Sequence, residues 1–339
     1  MSKMSRKFSD SESVRSDDVA CTVALHSVSA KAGADSPERS LLRRHVWFGV
    51  LCVASGIAFW NPLSALVRLA YNSDYYSHTV VVPVLAGFLV YRERKAIFSG
   101  SHTSLRMGLP LLLAGILVPV LEGSGWLPVG GQEAFTLTIL SVVLLWMGGF
   151  ALCYGGPAFR RALFPLLLLL LTVPLPLTAM DDFIHLTRVG STEVASGIFT
   201  IFGVPVFRHD FLFALPGVSI EIAKECSGIH STIALFVLTL MAGYLFLRPA
   251  WKRALLLLFV FPIVSLTNGL RIATLTLLAD RVDRNIFNTP LHRDGGILFF
   301  LIACSLIWLV LRLISKPRRT IVTEPLRVPT SNGSPASGR

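Results

Sequence analysis

Residues 254–278 read ALLLLFVFPIVSLTNGLRIATLTLL, an apolar run whose single charged residue is Arg271. A helix needs roughly 20 mostly apolar residues to cross the hydrocarbon core of a bilayer, so this run is long enough to span one. The whole chain of 339 residues has the same character, with 53% hydrophobic and 15% charged residues and a mean hydropathy of +0.64. This composition excludes an ordinary soluble domain and predicts a polytopic membrane protein.

The other apolar runs are also continuous and rich in leucine, without the two-residue alternation that strands of a membrane barrel require. Helices are the other structures that satisfy all their backbone hydrogen bonds within lipid. The predicted fold class is therefore an all-α integral membrane helical bundle. We count eight candidate spans, at residues 47–69, 75–91, 107–121, 135–154, 162–177, 226–247, 254–278 and 296–313.

Basic clusters next to the spans predict the orientation, because lysine and arginine flanks stay cytoplasmic. The clusters are LLRRH before the first span, YRERK after the second, FRR between the fourth and fifth, RPAWKR between the sixth and seventh, and SKPRR after the eighth. All of them fall on one side of an eight-helix count. Both termini are therefore predicted to be cytoplasmic, and the large loop at 178–225, between the fifth and sixth spans, to be extracytoplasmic.

The ends of the chain have a different composition, rich in serine, proline and charged residues. We predict a disordered cytoplasmic tail at 1–45, a transmembrane domain at 46–314 and a second disordered tail at 315–339. The net charge of +11 arises largely from residues that flank spans, which favours contact with anionic membrane lipid over a nucleic-acid partner.

The large outer loop contains two kinds of pattern. Residues 181–202 have the mixed apolar spacing of an amphipathic helix that lies along the outer surface. Residues 203–222 predict a short hairpin, with turn signals at Pro205 and at the dipeptide Pro216-Gly217. Such a hairpin offers backbone edges to an extended peptide.

One of the five cysteines has polar neighbours. Cys226 lies in EIAKECSGIHST, residues 221–232, whereas Cys52, Cys153 and Cys304 lie inside apolar runs, where cysteine behaves as a small hydrophobe. Counted from the cytoplasmic ends of their spans at about 1.5 Å per residue, Cys226, Arg271 and His292 lie about 33, 26 and 30 Å up. An intramembrane arginine at that level needs a partner or a water-filled cavity.

A thiol, a guanidinium and an imidazole at one depth on three consecutive spans form a candidate site for nucleophilic catalysis. The thiolate of Cys226 would attack, His292 would carry a proton to the leaving amine, and Arg271 would hold the developing oxyanion. Equal depth alone leaves a second interpretation open, in which Cys226 is only a small residue at the start of a helix.

At these residues the chain resembles the exosortase and archaeosortase family, the polytopic membrane transpeptidases of bacteria and archaea. The similar motifs are ECSGIHS around Cys226, NGLRI around Arg271, HRDGG beginning at His292 and YYSHTVVVP at residues 75–83. The resemblance implies a nucleophile at Cys226, a transition-state stabiliser at Arg271 and an acid/base partner at His292.

The resemblance also implies the location and the substrate class. The enzyme would lie in the prokaryotic inner membrane, and its substrates would be exported proteins with a C-terminal sorting signal. Such a signal comprises a short motif, a transmembrane helix and a basic cluster, and the cleaved protein passes to an acceptor.

Further polar residues are candidates for supporting or substrate-binding roles. Many family members have arginine where this chain has His230, and His230 is also an alternative base if it shares a helix face with Cys226. Asn268 has the spacing to orient Arg271 or to donate to the oxyanion, and an ordinary interhelical hydrogen bond explains it equally well. The remaining candidates are Glu225, Ser227 and Gly228 beside the cysteine and His78 near the outer end of the second span.

Two other classes of protein remain as alternatives. A transporter would place ionisable groups near the bilayer midplane, whereas this chain places them at the outer edge. An envelope polysaccharide ligase or polymerase would share the many spans and the large outer loop, and would differ in needing no cysteine. We expect no metal and no cofactor, because the histidines lack HxxH or HExxH spacing and no glycine-rich nucleotide loop occurs.

Overall fold

The computed structural model describes residues 37–126, 129–216, 219–223, 228–282 and 290–315, with only the backbone described at 290–295. Within these residues six helical stretches are long and apolar enough to cross a membrane, and two more apolar helices are shorter. The protein is therefore an all-α, multi-pass membrane bundle, as predicted. The long stretches are Glu38–Ala58, Leu105–Gly123, Gly131–Arg161, Ile229–Phe246, Ala250–Arg281 and Gly296–Ser315, and the shorter ones are His78–Arg92 and Leu163–Thr172.

The chain divides into two compact units between Asp181 and Asp182. The first unit contains helices α1 Pro37–Ala58, α2 Trp60–Asn72, α3 His78–Arg92, α4 Arg94–Phe98, α5 Leu105–Gly123, α6 Gly131–Arg161 and α7 Leu163–Leu168, with 3₁₀ turns at Asp74–Tyr76 and Leu169–Thr172. Glycine lets α5 and α6 pack backbone to backbone. A Cβ added at Gly108 would lie 2.6 Å from the amide nitrogen of Leu152, and one added at Gly148 would lie 2.7 Å from that of Leu112.

The second unit contains most of α8 Leu177–Ile201, strands β1 Phe207–His209, β2 Leu212–Ala214 and β3 Ser219–Glu221, and helices α9 Ile229–Phe246, α10 Ala250–Leu258, α11 Val260–Arg281 and α12 Pro290–Ser315. Helices α9, α11 and α12 share a hydrophobic core with Leu235, Val264 and Ala303 at its centre, and Leu256 of α10 joins it. Burial of these side chains fixes the three helices that bear the predicted catalytic motifs.

Three of the described helices end in the same way, four residues before a proline. Proline cannot donate to the carbonyl four residues earlier, and its ring clashes with that carbonyl. In each case the preceding helix ends on the residue that bears this carbonyl, as seen for Ala58 with Pro62, Arg161 with Pro165 and Leu258 with Pro262. The predicted first span at 47–69 is therefore two helices, α1 and α2.

The structure corrects the start of the first helix. Helix α1 begins at Pro37, so residues 37–45 are helical and do not belong to the predicted tail. Proline is favoured in a first turn, and Glu38 there complements the helix dipole. Arg44 donates to the hydroxyl of Ser101, and His45 hydrogen-bonds Tyr154 at 2.7 Å, so this part of the helix packs on the first unit. The remaining residues of both predicted tails lie outside the described ones.

The predicted outer loop contains a helix and a small sheet. Helix α8 buries residues every three or four positions, at Ile184, Thr187, Ser191, Ala195 and Phe199, which is the amphipathic pattern expected. Strands β1, β2 and β3 form an antiparallel sheet in that order.

The first turn of this sheet differs from the predicted one. His209 pairs with Leu212, so the turn is Asp210-Phe211, and Pro205 precedes the sheet. Asp210 adopts φ 51°, a conformation that aspartate tolerates in two-residue hairpin turns.

Candidate functional site

The described residues give the surroundings of the predicted site. Glu225, Cys226 and Ser227 lie outside the described residues, and His292 lies in the first turn of α12, where only the backbone is described. The structure therefore reports on the residues that flank the predicted nucleophile and base, and it describes the positions of Arg271 and Asn268.

Gly228, two residues after Cys226, lies directly before α9 with φ +71°, in the left-handed region that favours glycine. A Cβ at this position would lie 2.9 Å from the amide carbon of Asn268 on α11. Glycine is thus required twice, for the backbone conformation and for the close approach. It holds the chain that follows the cysteine against the second motif.

The start of α9 also decides the geometry of His230. The helix begins at Ile229, after the left-handed Gly228, so the helical i, i+4 relation proposed between Cys226 and His230 does not apply. The His230 side chain is exposed, whereas its neighbour Ser231 lines the cavity described below. The structure thus removes the helical argument for His230, and its part in catalysis stays a prediction.

Asn268 is 6% exposed and makes an interhelical hydrogen bond. Its Nδ2 donates to the Oγ of Ser191 on α8 at 2.9 Å, and that hydroxyl donates to the carbonyl of Thr187 at 2.8 Å. Of the two roles considered for Asn268, the interhelical bond is therefore observed. It fixes the amide against Gly228, and Ser191 is a participant that sequence reasoning missed.

Arg271 follows Asn268 by three residues on the same face of α11 and is half-buried. Its guanidinium carbon lies 3.9 Å from the position that a Cβ on Gly296 of α12 would occupy. Gly296 is the last residue of the motif HRDGG and comes four residues after His292, one turn along the same helix face. The guanidinium therefore lies beside the third motif, at an ordinary packing distance from this turn of α12.

A small cavity of about 20 Å³ lies between these residues. Its polar lining comes from Ser231, Thr267, Asn268 and Arg271, with Gly228 and Gly296 beside them, and the rest of the wall is apolar. This space is enough for one water molecule, and the polar groups provide the partners that such a water needs. The described flanks of all three motifs therefore meet around one polar cavity.

Glycine also joins α8 to α11 directly behind this cavity. A Cβ on Gly190 would lie 2.5 Å from the Oγ of Ser265, and one on Gly269 would lie 2.6 Å from the Cβ of Val194. Small residues at a helix crossing let backbones approach closely in membranes. The contact holds Ser191 at hydrogen-bonding distance from Asn268.

Arg188 is a second residue near the site that sequence reasoning missed, because it falls within the predicted outer loop at 178–225. Its guanidinium carbon lies 4.0 Å from the ring centre of Phe211, and it donates a hydrogen bond to the carbonyl of Ile222. Its position next to Thr187, on the buried stripe of α8, is the sequence signal that could have identified it. Arg188 thereby anchors the segment that leads from β3 towards Cys226.

Glu221, Glu193 and His78 do not line this cavity. Glu221 is exposed on β3. Glu193 of α8 pairs with Arg208 of β1 at 2.7 Å, and the hydrogen bond from that guanidinium lowers the pKa of Glu193. His78 begins α3 in the first unit and is half-buried, so its role in substrate entry stays a prediction.

Comparison with known proteins gives one match. A family model described as a transmembrane exosortase matches residues 60–309, which include all three motifs. Searches of curated proteins and of solved structures found no match.

Proposed function

This chain belongs to the transmembrane exosortase family, and we propose that it is a cysteine transpeptidase that cleaves the C-terminal sorting signal of exported proteins. Family membership supports a membrane transpeptidase-type role in general. The identity of the signal and the chemical mechanism are the finer parts of the proposal.

The observation that carries this proposal is the convergence of the motif flanks on Arg271. Gly228 lies against Asn268, and Gly296, one helix turn after His292, lies beside the guanidinium. A guanidinium beside a thiol favours the thiolate, which is the nucleophilic form. The same cation can then bind the oxyanion that forms when the thiolate attacks.

The proposed reaction has two steps. The Cys226 sulfur attacks the carbonyl carbon of the scissile peptide, Arg271 stabilises the tetrahedral oxyanion, and His292 donates a proton to the departing amine nitrogen. The carbonyl is left as a thioester on Cys226, and the released amine carries the transmembrane helix and basic cluster. An acceptor nucleophile then attacks the thioester and loses its proton to His292, which restores the protonated histidine and releases the Cys226 thiolate.

The orientation is part of the proposal. We place both termini in the cytoplasm and the catalytic groups on the outer side of the prokaryotic inner membrane, on the basis of the basic clusters that flank the spans. The nucleophile would then meet a substrate peptide where it leaves the bilayer. Partners under this proposal are exported proteins with a sorting signal, while the acceptor is left open.

The test is processing of a tagged exported protein that ends in a short motif, an apolar helix and an arginine cluster, co-expressed with the enzyme. Cys226→Ala should abolish processing and Cys226→Ser should nearly abolish it, since a hydroxyl is hardly ionised at neutral pH. Cys304→Ala is the matched control, because it removes a thiol from α12 and should leave processing intact. Hydroxylamine should release the wild-type thioester as a hydroxamate.

Full processing by a well-expressed Cys226→Ala variant would exclude the cysteine mechanism.

A further inference from the structure

We propose that the first unit binds an anionic phospholipid in an open cavity between α1, α3, α4 and α6, at a distance in sequence from all three catalytic motifs. The cavity, called the trough below, has a volume of about 710 Å³, within the usual range of roughly 300–1,000 Å³ for ligand sites. Its walls are mostly aromatic and aliphatic, and Arg94 and Lys95 also line it.

The walls of the trough are built to be rigid. Tyr154 is buried and lies 4.7 Å from the ring of Phe98 and 4.8 Å from that of Phe150, measured between ring centres. His45 meets Phe98 edge to face at 4.9 Å and hydrogen-bonds the Tyr154 hydroxyl. Interlocked rings of this kind hold their positions whether or not a ligand is present, so the apolar surface is preformed.

The length of the apolar surface matches one leaflet of a bilayer. A second cavity of about 280 Å³ shares Phe48, Gly87, Val90 and Phe150 with the trough and continues along α1 to Cys52. From Leu41 to Cys52 the helix rises about 16 Å at ~1.5 Å per residue, which is about half of the roughly 30 Å hydrocarbon core. An acyl chain that starts at the basic end therefore has an apolar path of suitable length.

Charge at the basic end selects the head group. Two cations, Arg94 and Lys95, line this end of the trough. Arg94 is held over the ring of Tyr91 at 4.1 Å, and Lys95 is exposed at the rim of the trough. Basic groups near a membrane surface attract anionic lipid by about fivefold in affinity each. An anionic head group, whose phosphodiester charge is not balanced by a cation of its own, fits this end. A zwitterionic head group carries its own cation and gains less affinity from these residues.

Gly87 provides a way to close the trough without disturbing the fold. It lines both cavities, and a Cβ built there meets no atom within 4 Å. Gly87→Leu should therefore place its side chain in the lipid path. Gly56→Leu is the matched control, since Gly56 of α1 also has nothing within 4 Å and lines neither cavity.

The experiment is native mass spectrometry of the full chain in detergent, titrated with phosphatidylglycerol or with phosphatidylcholine of the same acyl chains. Phosphatidylglycerol should form the first adduct with several-fold higher affinity. Lys95→Gln should weaken it about fivefold and Arg94→Gln/Lys95→Gln about 25-fold, while Arg92→Gln, an exposed cation outside the trough, should have little effect. Gly87→Leu should weaken both lipids, and Gly56→Leu neither.

Three results would overturn the proposal. Equal affinity of the two lipids would remove the charge selection. Equal losses in Lys95→Gln and Arg92→Gln would indicate general surface charge. Unchanged lipid affinity in Gly87→Leu, or displacement of lipid by an apolar transmembrane peptide, would assign the trough to another occupant or to none.

Discussion

The polar cavity around Arg271 and the aromatic trough of the first unit differ in size by a large factor, about 20 Å³ against about 710 Å³. The difference extends to their glycines. At Gly228 an added methyl group would meet Asn268 at 2.9 Å, whereas at Gly87 it would meet nothing within 4 Å. A site that must hold reacting groups to a fraction of an ångström is packed tightly, and a site for a flexible molecule is left open.

This contrast predicts opposite tolerance to mutation. Near the polar cavity, the replacement of one functional group or the addition of one methyl group should lower activity or stability, because neighbouring backbones have no space to move. In the trough, larger changes should leave folding intact and alter only binding. The predictions below test the contrast from the largest expected effect to the smallest.

Arg271→Lys should reduce processing by about 100-fold to 1,000-fold, the range found on removal of an oxyanion donor. An ammonium keeps the charge but lacks the planar fork of a guanidinium. Arg281→Lys, at the exposed end of the same helix, is the matched control and should process normally. The measurement is the initial rate of tagged-substrate cleavage at equal enzyme level. Near-normal cleavage by Arg271→Lys would show that Arg271 serves only as a charge.

His292→Ala should reduce processing on the order of 100-fold, as expected for a positioned acid/base group. His230→Ala should cost much less, because the His230 side chain is exposed at the start of α9. The two variants are compared in the same cleavage assay across pH 5–9. The reverse ranking would leave the reaction in place and reassign its base to His230.

Gly228→Ala should reduce processing by about tenfold and lower the melting temperature. An alanine in the left-handed region costs roughly 1–2 kcal/mol, and its methyl group would also press on Asn268. Gly87→Ala, the control in the open trough, should be neutral or slightly stabilising, since alanine favours helix. Thermal unfolding in detergent measures both. Equal melting temperatures for the two variants would contradict the proposed difference in packing.

Glu193→Gln should have the smallest effect, well under about 1 kcal/mol, because the pair with Arg208 is exposed. The hydrogen bond from Arg208 lowers the pKa of Glu193 in the folded state. Its stabilisation is therefore present above the unfolded pKa of about 4.3 and is lost as the pH falls through the folded value. The difference in melting temperature between wild type and variant should be present at pH 7 and shrink below about pH 4. A difference that persists at low pH would need another cause.

Much of the fold was predictable from hydropathy, because a long apolar segment in a membrane satisfies its backbone hydrogen bonds by forming a helix. The apolar runs became helices, and the amphipathic spacing of residues 181–202 became α8. The bounds of the first span were wrong because hydropathy alone does not report helix breaks. Pro62 cannot donate to the carbonyl of Ala58 and clashes with it, so the helix ends there. Likewise, the hairpin turn depends on the local conformation of Asp210, which competes with Pro205 as a turn signal.

Within the candidate site, the relation between two residues of α11 was predictable from their spacing. Arg271 and Asn268 do lie together on one face of α11, as their spacing required. The contacts of Ser191 and Arg188 could not be predicted in the same way, because they depend on how closely α8 crosses α11. The i, i+4 argument for His230 failed for a local reason, since a left-handed glycine stands between the two residues.

The crossing of α8 and α11 has a consequence for how this sequence can evolve. Gly190 lies against Ser265, and Gly269 lies against Val194, each too close for even one added methyl group. Neither glycine can change alone without pushing the helices apart and separating Ser191 from Asn268. Relatives that carry alanine at position 190 should therefore carry a residue smaller than serine at position 265. Glycine at position 269 should be retained, because a Cβ there would also lie 2.8 Å from the backbone oxygen of Ser191.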